Sequence, residues 1–344
     1  MLHTTDSEIL FLKQEEVIKA GLLDMKMILG VVDETYKLLG QGLIKNPPKV
    51  HMPIPDQDNW NSFFNTMPCY IGGDVNIGGV KWAAESKANS PIPGLPYGID
   101  ITILSDPNTV LPFCICDGTL TTAMRTSAVG GTLAKHVAPS NTKVATLVGA
   151  GAIGRTMIMA VKDAIPTIEK IYLCDLDIKR AELTKQQCPY NDIVEIIPST
   201  ESKECALKSQ LIVTETTTPK PIVDKSWIKG GVGIVSMASN EIAYEVGKDA
   251  DVICIDYWDQ MITNDRKVVT QLYNNGDITK DDVAQLGDIC NGRKVGRTSD
   301  DQVCLGMSMG IGALDIMIAY KLYQEAVKMG IGTKVRLWDN ALWE

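Results

Sequence analysis

Val144-Ala-Thr-Leu-Val-Gly-Ala-Gly-Ala-Ile-Gly154 decides the fold. An apolar run of strand character leads straight into Gly-x-Gly-x-x-Gly, and Ala152 to Ala164 then reads as a helix that stops before Pro166. That order is the context a dinucleotide-binding turn requires. Gly149 permits the tight turn, Gly151 admits a pyrophosphate against the backbone, and Gly154 lets the helix pack on the strand. With Ala152 and Ile153 these residues place unpaired N–H groups and the helix's partial positive charge where phosphates would sit.

The pattern continues outward. Ile171–Cys174 reads as a strand and Ile178–Gln187 as a helix. Ile193–Ile197, Leu211–Thr214, Val232–Met237 and Val252–Ile255 read as further strands. Short apolar strands alternating with amphipathic helices predict a doubly wound parallel sheet, the Rossmann type of α/β fold. Asp175 lies 21 residues after Gly154 (175 − 154 = 21), at the end of the second strand. An acid there accepts hydrogen bonds from the adenosine ribose and repels an extra phosphate, which favours NAD over NADP. Thr214, Thr216 and Met237, at the carboxyl ends of later strands, are expected to frame the nicotinamide.

The flanks have another texture. Leu22 to Gln41 carries a helical stripe, and Gly312 to Met329 reads as one long helix. Between Lys49 and Val110, short runs such as Asn61–Met67, Gly79–Ala83 and Ile101–Leu104 alternate with Pro and Gly pairs, an α+β pattern. The expected division is a substrate-binding and dimerisation domain from 1–125 and 315–344 around a Rossmann domain at 126–314. A chain of 344 residues is long enough for two such cores.

Composition narrows the partners. A net charge of −9 argues against a nucleic-acid polymer. Apolar stretches are interrupted by Arg155, Lys162 or Asp315, and Met1 to Gln14 lacks a basic segment followed by an apolar one. Neither a membrane span nor a secretory signal is expected. Nine cysteines without metal-ligand spacing suit free thiols in a reducing cytoplasm, and no metal is expected. Only three histidines are present (His3, His51, His136). His51 and His136 read as structural, Asp300 and Asp301 as turn caps, and Trp258 and Asp259 as cleft or core residues.

Three cations stand out: Lys49 in Pro47-Pro-Lys-Val-His51, Lys81 in Gly78-Gly-Val-Lys-Trp82, and Arg125 in Met124-Arg-Thr-Ser-Ala128. A charge within an apolar run needs a partner. An arginine clamps a carboxylate with two hydrogen bonds, and a lysine beside a C–N group can handle its proton. The alternative is that each cation pairs with a structural carboxylate such as Asp117.

These motifs carry a resemblance. Gly-x-Lys-Trp, Leu104-Ser-Asp-Pro, Asp117-Gly-x-Leu-Thr, Met124-Arg-Thr-x-Ala-Val129, Ala134-Lys-His136, the glycine loop and Gly296-Arg-x-Ser-Asp-Asp-Gln302 through Asp315 resemble the ornithine cyclodeaminase/mu-crystallin family over nearly the whole chain. The resemblance implies a homodimer. It also implies that Lys49, Lys81 and Arg125 surround the substrate carboxylate, with Lys81 handling a proton and Met67 nearby.

Cyclodeaminases of this family carry an Asp where this chain has Asn240, followed by Glu241, and a Glu where it has Asn65. An amide takes up no proton at neutral pH; Asn240 and Glu241 are nevertheless the candidate catalytic pair beside Lys81. Met67-Pro-x-x-Ile-Gly-Gly73, Lys81-Trp82 and the Asp300-Asp301 pair are similar to the aminocarboxyethyl-glutamate dehydrogenase branch. The leading expectation is an NAD-dependent oxidoreductase on the C–N bond of an amino, imino or N-substituted amino acid, with a small amino, imino or 2-oxo acid as partner. A cyclodeaminase and a non-enzymatic ligand binder are the alternatives.

Overall fold

The computed structural model describes residues 7–54, 62–89 and 92–343. His3 and Asn61 lie outside the described residues. Two compact units result: Met1–Asp24, Gln41–Arg125 and Ile311–Glu344 form the first, and Met25–Gly40 with Thr126–Gly310 the second. The helix Met25–Gly40, which the sequence placed with the first segment, packs against the helices Ala152–Ala164 and Leu286–Ile289 of the second unit. Its buried Ile28, Val31, Val32 and Tyr36 explain why.

In chain order the strands are β1 (Glu8–Leu12), β2 (Ile44–Lys45), β3 (Val50–Pro53), β4 (Ser62–Ile71), β5 (Ile77–Ser86), β6 (Gly98–Ser105) and β7 (Pro112–Asp117). They continue with β8 (Val144–Val148), β9 (Lys170–Cys174), β10 (Glu195–Ser199), β11 (Leu211–Thr214), β12 (Gly233–Ser236), β13 (Val252–Ile255), β14 (Val283–Gln285), β15 (Cys304–Met307) and β16 (Thr333–Arg336).

The first unit holds the mixed sheet β16-β1-β7-β6-β5-β4-β2, with β3 paired to β4. β4 and β5 form a long hairpin with Met67 opposite Lys81, and β6 places Thr102 opposite Lys81 and Asp100 opposite Ala83. Side chains two apart on a strand share a face, so Lys81, Ala83 and Glu85 stand with Asp100 and Thr102 on one surface. The helix Gly312–Met329 lies against β4, β5 and β6. This is how residue 315 reaches residue 81.

The second unit is a parallel sheet in the order β10-β9-β8-β11-β12-β15-β13-β14. β11, β12 and β15 are buried along their whole length, as expected of strands covered on both faces. The chain leaves β8 toward β9 and β10, then returns to the other side as β11 and β12. The carboxyl ends of β8 and β11 therefore form the topological switch point, where open α/β sheets bind ligands.

The helices Ala152–Ala164, Ile178–Gln187 and Gly312–Met329 have the bounds read from the sequence. The strand expected at Ile193–Ile197 instead runs Glu195–Ser199, because pairing with β9 sets its register at Glu195 opposite Lys170. Pro198 is tolerated there because β10 is an edge strand. The helix expected from Leu22 begins at Met25: Gly21, at φ 108°, ends the preceding helical turn. No helix among the described residues is long and apolar enough to cross a membrane.

Candidate functional site

In the first unit, three elements converge on one buried group. Lys81 on β5 is 1% exposed, and its Nζ lies 3.1 Å from Asp315 Oδ1, 3.6 Å from Asp100 Oδ2 and 3.2 Å from Thr122 Oγ1. The Nε of Arg125 donates to the same Asp315 oxygen at 3.2 Å. The helix Thr119–Val137 supplies Thr122 and Arg125, three residues apart and so on one helical face.

The expected alternative partner, Asp117, does other work. Its carboxylate accepts the backbone N–H groups of Thr119 and Leu120 and caps that helix. The partners of the cations are Asp315 and Asp100. Burial and the Arg125 charge hold Lys81 below the ordinary lysine range, while Asp315 and Asp100 pull it back up. Burial raises the Asp100 carboxyl, opposed by Lys81 and Thr122.

Met67 is buried opposite Lys81. Lys49 precedes β3, half-buried, and its charge bears on Glu85. Asn65 hydrogen-bonds His51 at 2.9 Å. Sequence reading missed Asp100 and Glu85. Both lie on the Lys81 face of the sheet, and only the strand register reveals it.

In the second unit the glycine loop has the form its residues require. Gly149 adopts φ 120°, and a Cβ on it would fall 2.6 Å from the carbonyl oxygen of Glu215. A Cβ on Gly154 would fall 2.4 Å from the Gly149 oxygen. Gly151 is the N-cap of the helix Ala152–Ala164, with no side-chain cap and open space where a Cβ would stand. Ala152 is exposed and Ile153 half-buried. An uncapped helix start facing open space, behind a turn that only glycine can make, fits a dinucleotide pyrophosphate. Asp175 Oδ2 accepts from Ala150 N at 2.9 Å and Oδ1 from Asp177 N at 3.0 Å, tying the loop to β9. A carboxylate offers about four acceptor positions, so lone pairs remain for ribose hydroxyls.

The carboxyl ends of the neighbouring strands are bound together by buried charges. Glu241 Oε2 accepts from the Thr214 and Ser236 hydroxyls, each at 2.8 Å, and from Ala238 N at 3.0 Å. Its Oε1 accepts from Thr216 N at 2.6 Å and Thr216 Oγ1 at 3.0 Å. A carboxylate so bonded has no acceptor position to spare, and its geometry is that of a tether between the loops after β11 and β12. The proton-handling role considered for Glu241 has no support in this geometry. The hydroxyls of Thr214 and Thr216 both point to Glu241, as does the Thr216 N–H. Met237 N bonds Thr214 O, and Lys267 Nζ donates to the carbonyls of Met237, Ala238 and Ser308. Asn240 has a left-handed backbone, φ 62°, and its N–H donates to Arg266 O.

Glu215, which sequence reading passed over, follows β11, and its side chain turns under the loop. Its Oε1 lies 3.3 Å from where a Cβ on Gly154 would be. Both carboxyl oxygens are buried without a hydrogen-bond partner among the described residues. Burial first, and the Glu241 charge second, push this carboxyl well above the usual range. An acid raised on folding binds its proton more tightly in the native state, so it stabilises least at high pH. The native protein should lose stability as pH rises from the unfolded carboxylate range toward the raised value. Glu215→Met should flatten that part of a urea-denaturation pH series; an unchanged slope would show that Glu215 is charged in the native state.

Similarity to known proteins follows the whole architecture. The chain is 27% identical over 337 residues to the N-((2S)-2-amino-2-carboxyethyl)-L-glutamate dehydrogenase of Staphylococcus aureus, covering 96% of this chain and 99% of that one. It superposes on the Δ1-pyrroline-2-carboxylate reductase of Thermococcus litoralis, solved with NADH and L-proline. The TM-score is 0.85 at 27% identity, over 95% of this chain and 100% of the other. An archaeal alanine dehydrogenase dimer with bound NAD gives a TM-score of 0.83 at 27% identity, over 96% and 100%. The family model that describes ornithine cyclodeaminases and mu-crystallins matches residues 8–330, from β1 to the end of the helix Gly312–Met329. The match takes in the whole second unit and most of the first, and the chain belongs to the ornithine cyclodeaminase/mu-crystallin family.

Proposed function

We propose that the protein is an NAD-dependent oxidoreductase acting on the C–N bond of an amino, imino or N-substituted amino acid. The observation that carries this reading is the buried Lys81–Asp315–Arg125 cluster in a chain that also owns an intact dinucleotide turn. Arg125 spends Nε on Asp315, and its outer guanidinium edge meets the substrate carboxylate, with Lys49 as a second cation. Met67 stands opposite Lys81 on β4. Lys81, held below the ordinary lysine range, is suited to take a proton from the substrate nitrogen or return one.

Gly149, Gly151, Ala152, Ile153 and Gly154 hold the pyrophosphate. Asp175 takes the ribose hydroxyls, and the loops after Thr214 and Ser236, with Thr216, Met237 and Asn240, frame the nicotinamide. When bound, NAD supplies the two-electron acceptor or donor. We assign Glu241 to holding those loops. A homodimer in the cytoplasm, acting on a small amino, imino or 2-oxo acid, completes the proposal; a dimer is the form of the archaeal alanine dehydrogenase.

The names of the similar proteins support the reaction class. Asn65 and Asn240 weigh against the cyclodeaminase alternative, since neither amide supplies the carboxylate that deamination uses. The deciding experiment is redox stoichiometry. Small 2-oxo acids are paired with ammonia or amino acids and NADH, and L-ornithine is given in parallel with catalytic NAD. NADH consumed mole for mole with a new amine is the expected result. Proline and ammonia without net NADH change would make the protein a cyclodeaminase. For the cofactor, Asp175→Ala should lower the preference for NAD over NADP by about tenfold, the worth of a charge-assisted hydrogen bond. Discrimination equal to wild type in NADH and NADPH fluorescence titrations would remove Asp175 from the ribose.

A further inference from the structure

Two buried carboxylates hold Lys81, and they hold it differently. Asp315 takes Lys81 and Arg125 on one oxygen, Oδ1, and is fully buried. Asp100 lies farther off, at 3.6 Å, but a hydroxyl stands between them. Lys81 Nζ donates to Thr122 Oγ1 at 3.2 Å, and Thr122 Oγ1 donates to Asp100 Oδ2. The chain of donors therefore has a direction, from amine to hydroxyl to carboxylate. Asp100 keeps 6% exposure, whereas Asp315 has none. A proton on Asp315 would also remove the charge that pairs with Arg125. A proton on Asp100 disturbs neither cation–Asp315 contact.

We propose that Asp100, through the Thr122 hydroxyl, is the relay residue that drains the proton from Lys81 during amine oxidation and returns it during imine reduction. The proposal rests on the reading of Lys81 as the group facing the reacting C–N bond. In the oxidative direction an N–H bond of the substrate ammonium breaks and a new one forms at neutral Lys81 Nζ. The carbon-bound hydrogen and its electron pair are taken by nicotinamide dinucleotide, the oxidant. One Lys81 N–H proton then passes to Thr122 Oγ1 as the Thr122 hydroxyl proton passes to Asp100 Oδ2, and Asp100 releases it to water. Reduction runs the same transfers backward.

The charged and titratable groups around Lys81 come from every neighbouring element. Arg125 comes from the helix Thr119–Val137, Asp315 from the helix Gly312–Met329, Asp100 from β6 and Glu85 from Lys81's own strand. On β4, Cys69 has a thiol that burial and Asp315 push to about 12, out of the working range. Arg125 lowers Lys81, and Asp315 and Asp100 raise it. Removing the Asp100 charge must therefore lower Lys81 further.

The test uses the full chain in two measurements. In free protein labelled with 15N-lysine, Asp100→Asn should lower the Lys81 Nζ titration midpoint by about one pH unit, the effect of one nearby opposite charge. In turnover, the acid limb of kcat for amine oxidation should move to lower pH by a similar amount. Thr122→Val should lower kcat about a hundredfold, the low end of the usual worth of a proton-transfer group, and Thr122→Ser should restore it. Were Asp100→Asn to misfold, the two Thr122 variants carry the test. An unmoved Lys81 midpoint and acid limb, or Thr122→Val at full speed, would overturn the relay. Failure of every substrate would sink the proposed reaction instead, and the Lys81 titration would still judge its link to Asp100.

Discussion

Lys81→Met should lower kcat by about a thousandfold, roughly 4 kcal/mol of barrier, with the NADH dissociation constant unchanged. Methionine matches the length of the lysine stem and removes only its charged end. Nucleotide binding stays intact because the dinucleotide turn belongs to residues 149–154 in the second unit. The substitution also costs stability. Asp315 is fully buried and keeps only the Arg125 contact at 3.2 Å, and breaking one side of a buried ion pair costs about 3 kcal/mol. Steady-state kinetics, an NADH fluorescence titration and a thermal melt separate the three effects. Activity within tenfold of wild type would take Lys81 out of the chemistry and leave it an ion-pair residue.

Glu241→Ala should destabilise the protein by about 4 kcal/mol and loosen nucleotide binding in step. The reason is the set of donors left behind. The hydroxyls of Thr214, Thr216 and Ser236 and the N–H groups of Thr216 and Ala238 would all lose their acceptor in a buried place. Glu241→Gln keeps the volume and one good acceptor oxygen but turns an NH2 toward other donors, so its loss should be about half as large. Urea denaturation of both variants, with NADH titrations beside it, reads the result. Equal stability of wild type and Glu241→Ala would mean that the loops find other acceptors.

How legible all this was depends on how local each signal is. The dinucleotide turn and the helices on either side of β9 announce themselves within a few residues, so the glycine loop and the helix bounds follow from spacing. β14 and β15 are only three and four residues long and carry no pattern of their own. That β15 enters the sheet between β12 and β13 is a matter of tertiary pairing, invisible to periodicity. In the site, Lys81 and Arg125 stand out as charges in apolar runs, but their partners do not. Asp315 lies on a helix in the third segment of the first unit, and Asp100 reads as one more polar residue on a strand until register sets it beside Lys81. Glu241 was visible only as a candidate acid, because nothing in Ser239-Asn-Glu241 tells that five donors converge on it. Glu215 sits in a threonine-rich stretch that spacing treats as a loop.

The first unit is assembled from three stretches of chain, the last of them Ile311–Glu344. On the ribosome, then, the second unit has all its residues before the first can finish. Until the final helix emerges, Lys81 and Arg125 lack Asp315, a partner 190 residues beyond Arg125, and β1 lacks its antiparallel neighbour β16. Ser7 even waits for the carbonyl of Trp338. Contacts closed over such separations are slow to form. Until residues 311–336 emerge, the nascent chain therefore carries an open edge at β1 and an Arg125 without its carboxylate, while Lys81 has Asp100 alone.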